Sequence, residues 1–173
     1  MPARAPEAPG GAGGESFDRL LALVGRLNYT WSNTESLLVH LIAGLAGTDT
    51  ETALVVFLTL NTSRARVDLV ERLAKLDRVP EDLRRDILDA TGALMRQQPL
   101  RNRYNHCIYA FDPDGEAAHT ILMRIADRKD RLKVGATARI DATALSEIGA
   151  AIRALEETNR AIWRIVVDRG FPV

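Results

Sequence analysis

One apolar seam constrains this chain more than any other feature. Phe17, Leu20, Val24, Leu27, Trp31, Thr34, Leu38, Leu41 and Leu45 follow one another at alternating steps of three and four. That is the period of a single helix face. It runs for about eight turns until Gly47, a residue suited to end a helix. Ser16 is the expected N-cap. A stripe of this length cannot bury itself, so the seam requires further helices packed against it. Thr34 is its one polar interruption.

The rest of the chain supplies such helices. Residues 53–60 form a nearly unbroken apolar run after the start signal Asp49-Thr50-Glu51, and they predict a short buried helix. Ser63 is the expected cap of a helix through Val67, Val70, Leu73 and Leu76. Pro80, followed by Glu81 and Asp82, opens another through Leu83, Ile87, Ala90 and Leu94. At Pro99 the missing N–H and the ring force a kink or a break. After the turn signal Asp112-Pro113-Asp114-Gly115, residues 119–126 and 131–140 flank a polar tip and read as a β-hairpin. Asp141 is the expected cap of a last helix whose seam is Leu145, Ile148, Ile152, Leu155, Asn159, Ile162 and Val166. Asn159 is polar in mid-seam and is a candidate for setting helix register. Gly170-Phe171-Pro172 ends that helix.

The expected architecture is all-α: an up-and-down bundle of four to five helices with a small β-hairpin insert, about 119–140, before the last helix. Residues 1–15, rich in Pro and Gly, read as a disordered tail, and 16–173 as a single helical domain. The glycine cluster at 10–14 follows no strand and lacks the Gly-Lys-Ser/Thr ending of a phosphate loop.

Composition excludes several functions. With 23 Lys+Arg against 23 Asp+Glu, no overall field draws the chain to nucleic acid or membrane, and any anionic partner must meet a local patch. The single cysteine, Cys107, excludes an internal disulfide framework and a cysteine-based zinc site. His40 and His119 stand at no metal or triad spacing and are expected on the surface, so neither metal nor cofactor is expected. No apolar run reaches the ~18–20 residues of a membrane span, and the first residues lack a signal-peptide core. The expected setting is cytoplasmic.

One segment carries chemistry: Pro99-Leu100-Arg101-Asn102-Arg103-Tyr104-Asn105-His106-Cys107-Ile108-Tyr109. On an ideal helix of about 100° per residue, Leu100, Tyr104, Cys107, Ile108 and Phe111 gather on a core face. Asn102, His106 and Tyr109 line the opposite face, with Asn105 beside them and Arg101 and Arg103 flanking. From Asp89 to Asp112 no acidic residue intervenes, while Arg96, Arg101 and Arg103 do. An imidazole among uncompensated guanidiniums and carboxamides is poorly placed for stability and well placed to hold a phosphate.

Arg101-Asn102-x-x-x-His106 resembles the Arg-(polar)-x(3–5)-His signature of HEPN domains, the higher eukaryote and prokaryote nucleotide-binding helical bundles. The layout over roughly 16–168 is similar as well: a long first helix containing Trp31-x-x-x-Glu35, short intermediate helices, the motif late in a helix, and a closing helix. The resemblance implies an all-α homodimer in which two copies of the motif meet across a groove. It also implies RNA or nucleotide as the partner, with metal-independent ribonuclease activity in many members, often toxins with a cognate antitoxin or defence proteins, and no activity in others. Arg101, Asn102 and His106 are then the catalytic candidates, and Arg103, Asn105, Tyr109 and Glu35 the binding candidates. Some toxin members carry a tyrosine two residues after the histidine. Here Tyr109 comes three after, which weakens that role.

Cleaving RNA with its own 2′-OH requires a base for that proton, an acid for the departing 5′-oxygen, and positive charge on the phosphorane. Histidine serves either proton-transfer role near neutral pH. One His106 per chain does not easily do both, which a two-fold axis would remedy. Arg101 and His106 are five apart, so their side chains diverge by about 140° on a straight helix.

Other residues have plainer readings. Tyr109 reads first as a surface or interface tyrosine, Cys107 as a small buried hydrophobe, and Trp31 and Trp163 as core or interface anchors. Glu35 is expected in solvent; the alternative turns it inward to hold Arg101. The tip Arg128-Lys129-Arg131-Lys133 reads as a solvated turn, with nucleic-acid phosphates the alternative. The rival to the RNA reading is a non-catalytic dimeric interaction or ligand-binding helical module.

Overall fold

The computed structural model describes residues 12–111, 118–122, 125–128, 131–135 and 137–173. Its elements, in order, are helices α1 (Ala12–Ser36), α2 (Leu38–Ala46), α3 (Thr50–Thr59), α4 (Ser63–Ala74) and α5 (Glu81–Asn105), then strands β1 (Cys107–Phe111), β2 (Ala118–Leu122), β3 (Ile125–Arg128), β4 (Arg131–Val134) and β5 (Thr137–Arg139), and finally α6 (Ala142–Asp168). The protein is thus mostly helical, with a small antiparallel sheet before the last helix. No helix among the described residues is long and apolar enough to cross a membrane.

The packing divides into two compact units. One comprises the described residues up to Leu27 together with Pro99–Ala150; the other comprises Asn28–Gln98 and Ala151–Val173.

In the second unit the seam is buried as its period requires. Trp31, Thr34, Leu38 and Leu41 are each fully enclosed, as are Val67, Val70, Ile87, Leu94, Leu155 and Ile162. Each large apolar side chain sealed this way contributes on the order of 1.5–3 kcal/mol. The expected long first helix is, however, two helices. At Leu37 the N–H bonds back to Thr34 O at 3.3 Å, a tighter turn than the α-helical one. The hydroxyl of Thr34, three residues earlier, donates to Thr30 O at 2.8 Å, a back-bond that bends helices. The seam survives because Leu37 and Leu38 are both buried. Gly47 ends α2 at φ 67°, with its N–H on Ala43 O.

Three further boundaries differ from expectation. Helix α1 begins at Ala12, four residues before Ser16, since extending an existing helix fixes only one residue per added bond. Helix α4 is capped by Thr62, whose hydroxyl accepts from the Ala65 N–H at 3.1 Å, one residue before the expected Ser63. Helix α3 is capped by Asp49 as expected, with Thr52 N–H at 2.7 Å, but it is not a buried helix. Only Ala53 and Phe57 of α3 are buried, whereas Leu54, Val55, Val56 and Leu58 are exposed. A continuous apolar run points all round a helix, and α3 has packing on one side only.

In the first unit, Leu20, Leu27, Tyr104, Thr120 and Ile148 are buried. Strands β2 and β5 pair antiparallel (His119↔Arg139, Ile121↔Thr137), and β3 pairs with β4 (Ile125↔Val134). This is the expected hairpin with one unexpected feature: its register slips by one residue near Gly135, which stands at φ 65°. The hairpin also gains a third strand, because β1 pairs with β2 (Cys107↔Leu122, Tyr109↔Thr120) in the order β1-β2-β5. The turn signal 112–115, the strand-end residue Ala126 as a side chain, and the cationic tip side chains lie outside what is described.

Candidate functional site

The motif sits where α5 ends. The helix runs through Pro99 instead of breaking there. A proline inside a helix removes one backbone bond; Leu94 before it and Tyr104 after it are both buried. The last helical bond is that of the His106 N–H to Asn102 O, 3.1 Å. From Cys107 the chain is extended. The sequence expectation of one helix through Phe111 is therefore corrected: the face that would gather Tyr109 with Asn102 and His106 does not exist. Ile108, assigned to the core face, is half exposed at 49 %.

The side chains then fall into two groups. His106, Arg103 and Asn105 are exposed, and Arg101 and Asn102 are half-buried. Arg101 Nη1 donates to Asn102 Oδ1 at 3.2 Å, so the guanidinium and the carboxamide form one polar unit. His106 follows Asn102 by one helical turn, with its backbone N–H bonded to Asn102 O. The C-terminal end of a helix carries partial negative charge, which favours cations and opposes anions. A phosphate at this place therefore depends on the guanidinium and imidazole groups, since the helix dipole works against it.

Tyr109 belongs to the other group. Its hydroxyl donates to Tyr104 O at 3.1 Å, and the Cys107 thiol donates to the same oxygen at 3.5 Å. Tyr104 O is one of the last carbonyls of α5, which lack helical partners. Two side chains of β1 thus cap α5 and fix the helix-to-strand turn that presents His106. The Tyr109 ring meets Phe17 edge-on, with centroids 5.9 Å apart. Burial, reinforced by the Cys107 side chain, raises the Tyr109 phenol well above its ordinary value. Burial likewise raises that of Tyr104. Neither phenol is suited to give up a proton at neutral pH. Cys107, expected as a buried hydrophobe, is half-buried and a thiol donor.

Glu35 corrects another expectation. It is buried, at 8 % exposure. Its Oε2 accepts from the Trp31 indole N–H at 3.2 Å, and its Oε1 stands 3.3 Å from Arg66 Nη1. That second contact is an ion pair without hydrogen-bond alignment, so Oε1 counts as unbonded. Arg66 in turn donates through Nε to Phe57 O and Leu60 O at 3.2 and 3.0 Å, and its guanidinium lies 4.1 Å from the centre of the Phe57 ring. The inward partner of Glu35 is Arg66, a residue the sequence reading did not select. Nothing in spacing along the chain joins them; the nearest signal is the solitary acid one turn beyond a seam tryptophan. Through the two carbonyls that Arg66 holds, this cluster closes the end of α3.

The remaining candidates are also placed. Trp31 is in the core. His40 stacks on Trp163 at 5.3 Å, and its Nδ1 is 2.9 Å from Pro172 O. Among the described residues no three His, Cys, Asp or Glu side chains gather as a metal site. No family model, curated protein or solved structure matches this chain.

Proposed function

We propose that this chain is a HEPN-like RNA- or nucleotide-binding protein whose phosphate site is the Arg101–Asn102–His106 group at the end of α5, acting as a metal-independent endoribonuclease. The observation that supports the reading is an exposed imidazole one helical turn after Asn102, whose carboxamide accepts from the Arg101 guanidinium, in a stretch without a carboxylate between Asp89 and Asp112. In this role Arg101 holds the phosphate, Asn102 keeps the guanidinium in place, and Arg103 adds charge. His106 takes the 2′-OH proton as the 2′-oxygen attacks phosphorus. A second imidazole, from a second copy of the chain, gives its proton to the departing 5′-oxygen, leaving a 2′,3′-cyclic phosphate and a 5′-OH. Such an enzyme fits a toxin or defence system, with an antitoxin as the partner that masks the α5 end.

The test is incubation of purified protein with RNA in chelator, comparing wild type with His106→Ala and Arg101→Ala. Cleavage is expected from wild type alone, together with RNA binding that weakens in Arg101→Ala and with added salt. Equal cleavage by His106→Ala, or an active dilute monomer, overturns the catalytic assignment. RNA binding unchanged in Arg101→Ala overturns the binding site.

A second reading has an observation of its own. The exposed Leu54, Val55 and Leu58 of α3 form an apolar face of the kind a non-catalytic interaction module uses. Absence of RNA binding together with capture of a partner that protects α3 from exchange would favour it.

A further inference from the structure

In the first unit, the two faces of the β1-β2-β5 sheet carry different chemistry. Residues paired in register point to the same side of a sheet, and side chains alternate along each strand. The row Tyr109–Thr120–Ala138 faces inward: Thr120 is 4 % exposed, and the Tyr109 ring lies against Phe17. The neighbouring rows, Ile108–Ile121–Thr137 and Ala110–His119–Arg139, therefore face outward. Ile108 is half exposed, and Thr137 and Arg139 are exposed on either side of the half-buried Ala138. The three strands, CIYAF, AHTIL and TAR, contain no carboxylate. Their two basic side chains, His119 and Arg139, stand directly opposite each other. That pairing does nothing for the ladder, since like charges so placed repel once the imidazole is protonated. The carboxyl nearest Arg139 along the chain, Asp141, is engaged as the cap of α6, with the Ala144 N–H at 2.9 Å.

We infer that this outward face is a second binding site, which takes the continuation of a single-stranded RNA held by one phosphate at Arg101–Asn102–His106. The inference rests on the phosphate site proposed above and gives it a substrate class, an oligonucleotide instead of a mononucleotide. Strand β1 begins directly after His106, so the face starts where that site ends. Ile108 is two residues beyond His106. From Ile108, Arg139 is ~7 Å farther along the strands and ~10 Å across two of them, a separation of ~12 Å. One nucleotide at His106 does not reach that far, and a chain of several does. Between the two ends, Ile108 and Ile121 offer the bases an apolar surface. At the far edge the Arg139 guanidinium holds a backbone phosphate bidentately, with the His119 imidazole opposite it. The RNA must be unpaired, because a duplex keeps its bases stacked inside and only a single strand can lay them on a sheet.

The test uses 2′-O-methyl uridine oligomers, a dinucleotide and an octanucleotide, which lack the attacking 2′-OH and so report binding alone. Wild type is expected to hold the octanucleotide roughly tenfold or more tightly than the dinucleotide. Arg139→Gln is expected to remove most of that gain and to reduce the slope of log affinity against log salt by ~0.7, leaving the dinucleotide unaffected. Arg139→Lys keeps the charge and is expected to keep most of the gain, while His119→Gln and Ile108→Thr each lose part of it. Arg101→Ala is expected to weaken both oligomers. Circular dichroism identifies any variant that has lost its fold. The sheet site is overturned by an octanucleotide bound no better than the dinucleotide, by Arg139→Gln behaving as wild type, by equal losses of both oligomers in that variant, or by equal binding of a duplex of the same length. The two sites fail separately. An effect of Arg101→Ala with none of Arg139→Gln leaves the phosphate site alone, the reverse leaves the sheet face alone, and a wild type that binds neither oligomer overturns both.

Discussion

The side-chain amide of Asn159 donates to the hydroxyl of Thr34 at 3.4 Å. These are the two polar residues that interrupt the two longest apolar seams of the chain, and they meet. The Thr34 hydroxyl in turn donates to Thr30 O and also lies 3.4 Å from Leu155 O. The pair links α6 to α1 in the second unit, because a shift of one turn would take the Asn159 amide away from the Thr34 hydroxyl.

Thr34→Val is expected to destabilise that unit by ~1 kcal/mol, the cost of removing the hydrogen-bond partner of the part-buried Asn159 amide. The double variant Thr34→Val/Asn159→Leu is expected to recover most of that loss. Urea unfolding of the two singles and the double, read as a double-mutant cycle, checks the coupling; simple additivity would show that the two residues act independently.

Glu35→Ala is expected to cost on the order of 2 kcal/mol, because the part-buried Arg66 would lose its counter-ion and the Trp31 indole its acceptor. Glu35→Gln keeps an acceptor for the Trp31 indole and is expected to cost less. Since the cluster holds the end of α3, amide exchange in residues 50–60 is expected to accelerate in both variants ahead of global unfolding.

Gly44→Ala would place a methyl 2.2 Å from the Phe171 ring. The ring must leave, and with it the contact of His40 with Pro172 O. A fall in Tm is expected, with a change in the fluorescence of Trp163, which stacks on His40. In the background of Phe171→Ala the same substitution is expected to have little further effect.

Tyr109→Phe removes a donor from the last turn of α5 and is expected to lower stability by ~1 kcal/mol while leaving RNA affinity unchanged. The ring stays on Phe17, so stability and binding are separable here. An equal loss of RNA affinity in Tyr109→Phe and Arg101→Ala would return the tyrosine to the site.

Acid sensitivity follows from two surface carboxyls. The Thr52 backbone N–H and hydroxyl hold Asp49 below its ordinary 3.8, and the hydrogen bond from Arg169 does the same for Asp82. A carboxyl with a lowered folded pKa adds stability above its unfolded value and loses it as pH falls through the folded one. Melting curves of wild type are therefore expected to decline more steeply below about pH 4 than those of Asp49→Asn and Asp82→Asn. Parallel curves would remove both contributions.

The sequence by itself determined the helices and their buried stripes, because helix periodicity and capping are local. The seam from Leu27 to Leu45 is buried, Asp49 and Asp141 cap where their side chains reach the next free N–H, and Gly170 ends α6, with Phe171 N–H bonded back to Val166 O at 2.9 Å. The tertiary structure decided what depends on partners distant along the chain. Cys107 to Phe111 would continue a helix by pattern, yet β2 offers it a ladder and Tyr104 O accepts from its side chains, so it is a strand. Glu35 would be solvated but for Arg66. The run at α3 would be enclosed but for packing on one side only. Local periodicity fixes which way a side chain faces along its own helix; only the neighbours brought by folding decide what it finds there.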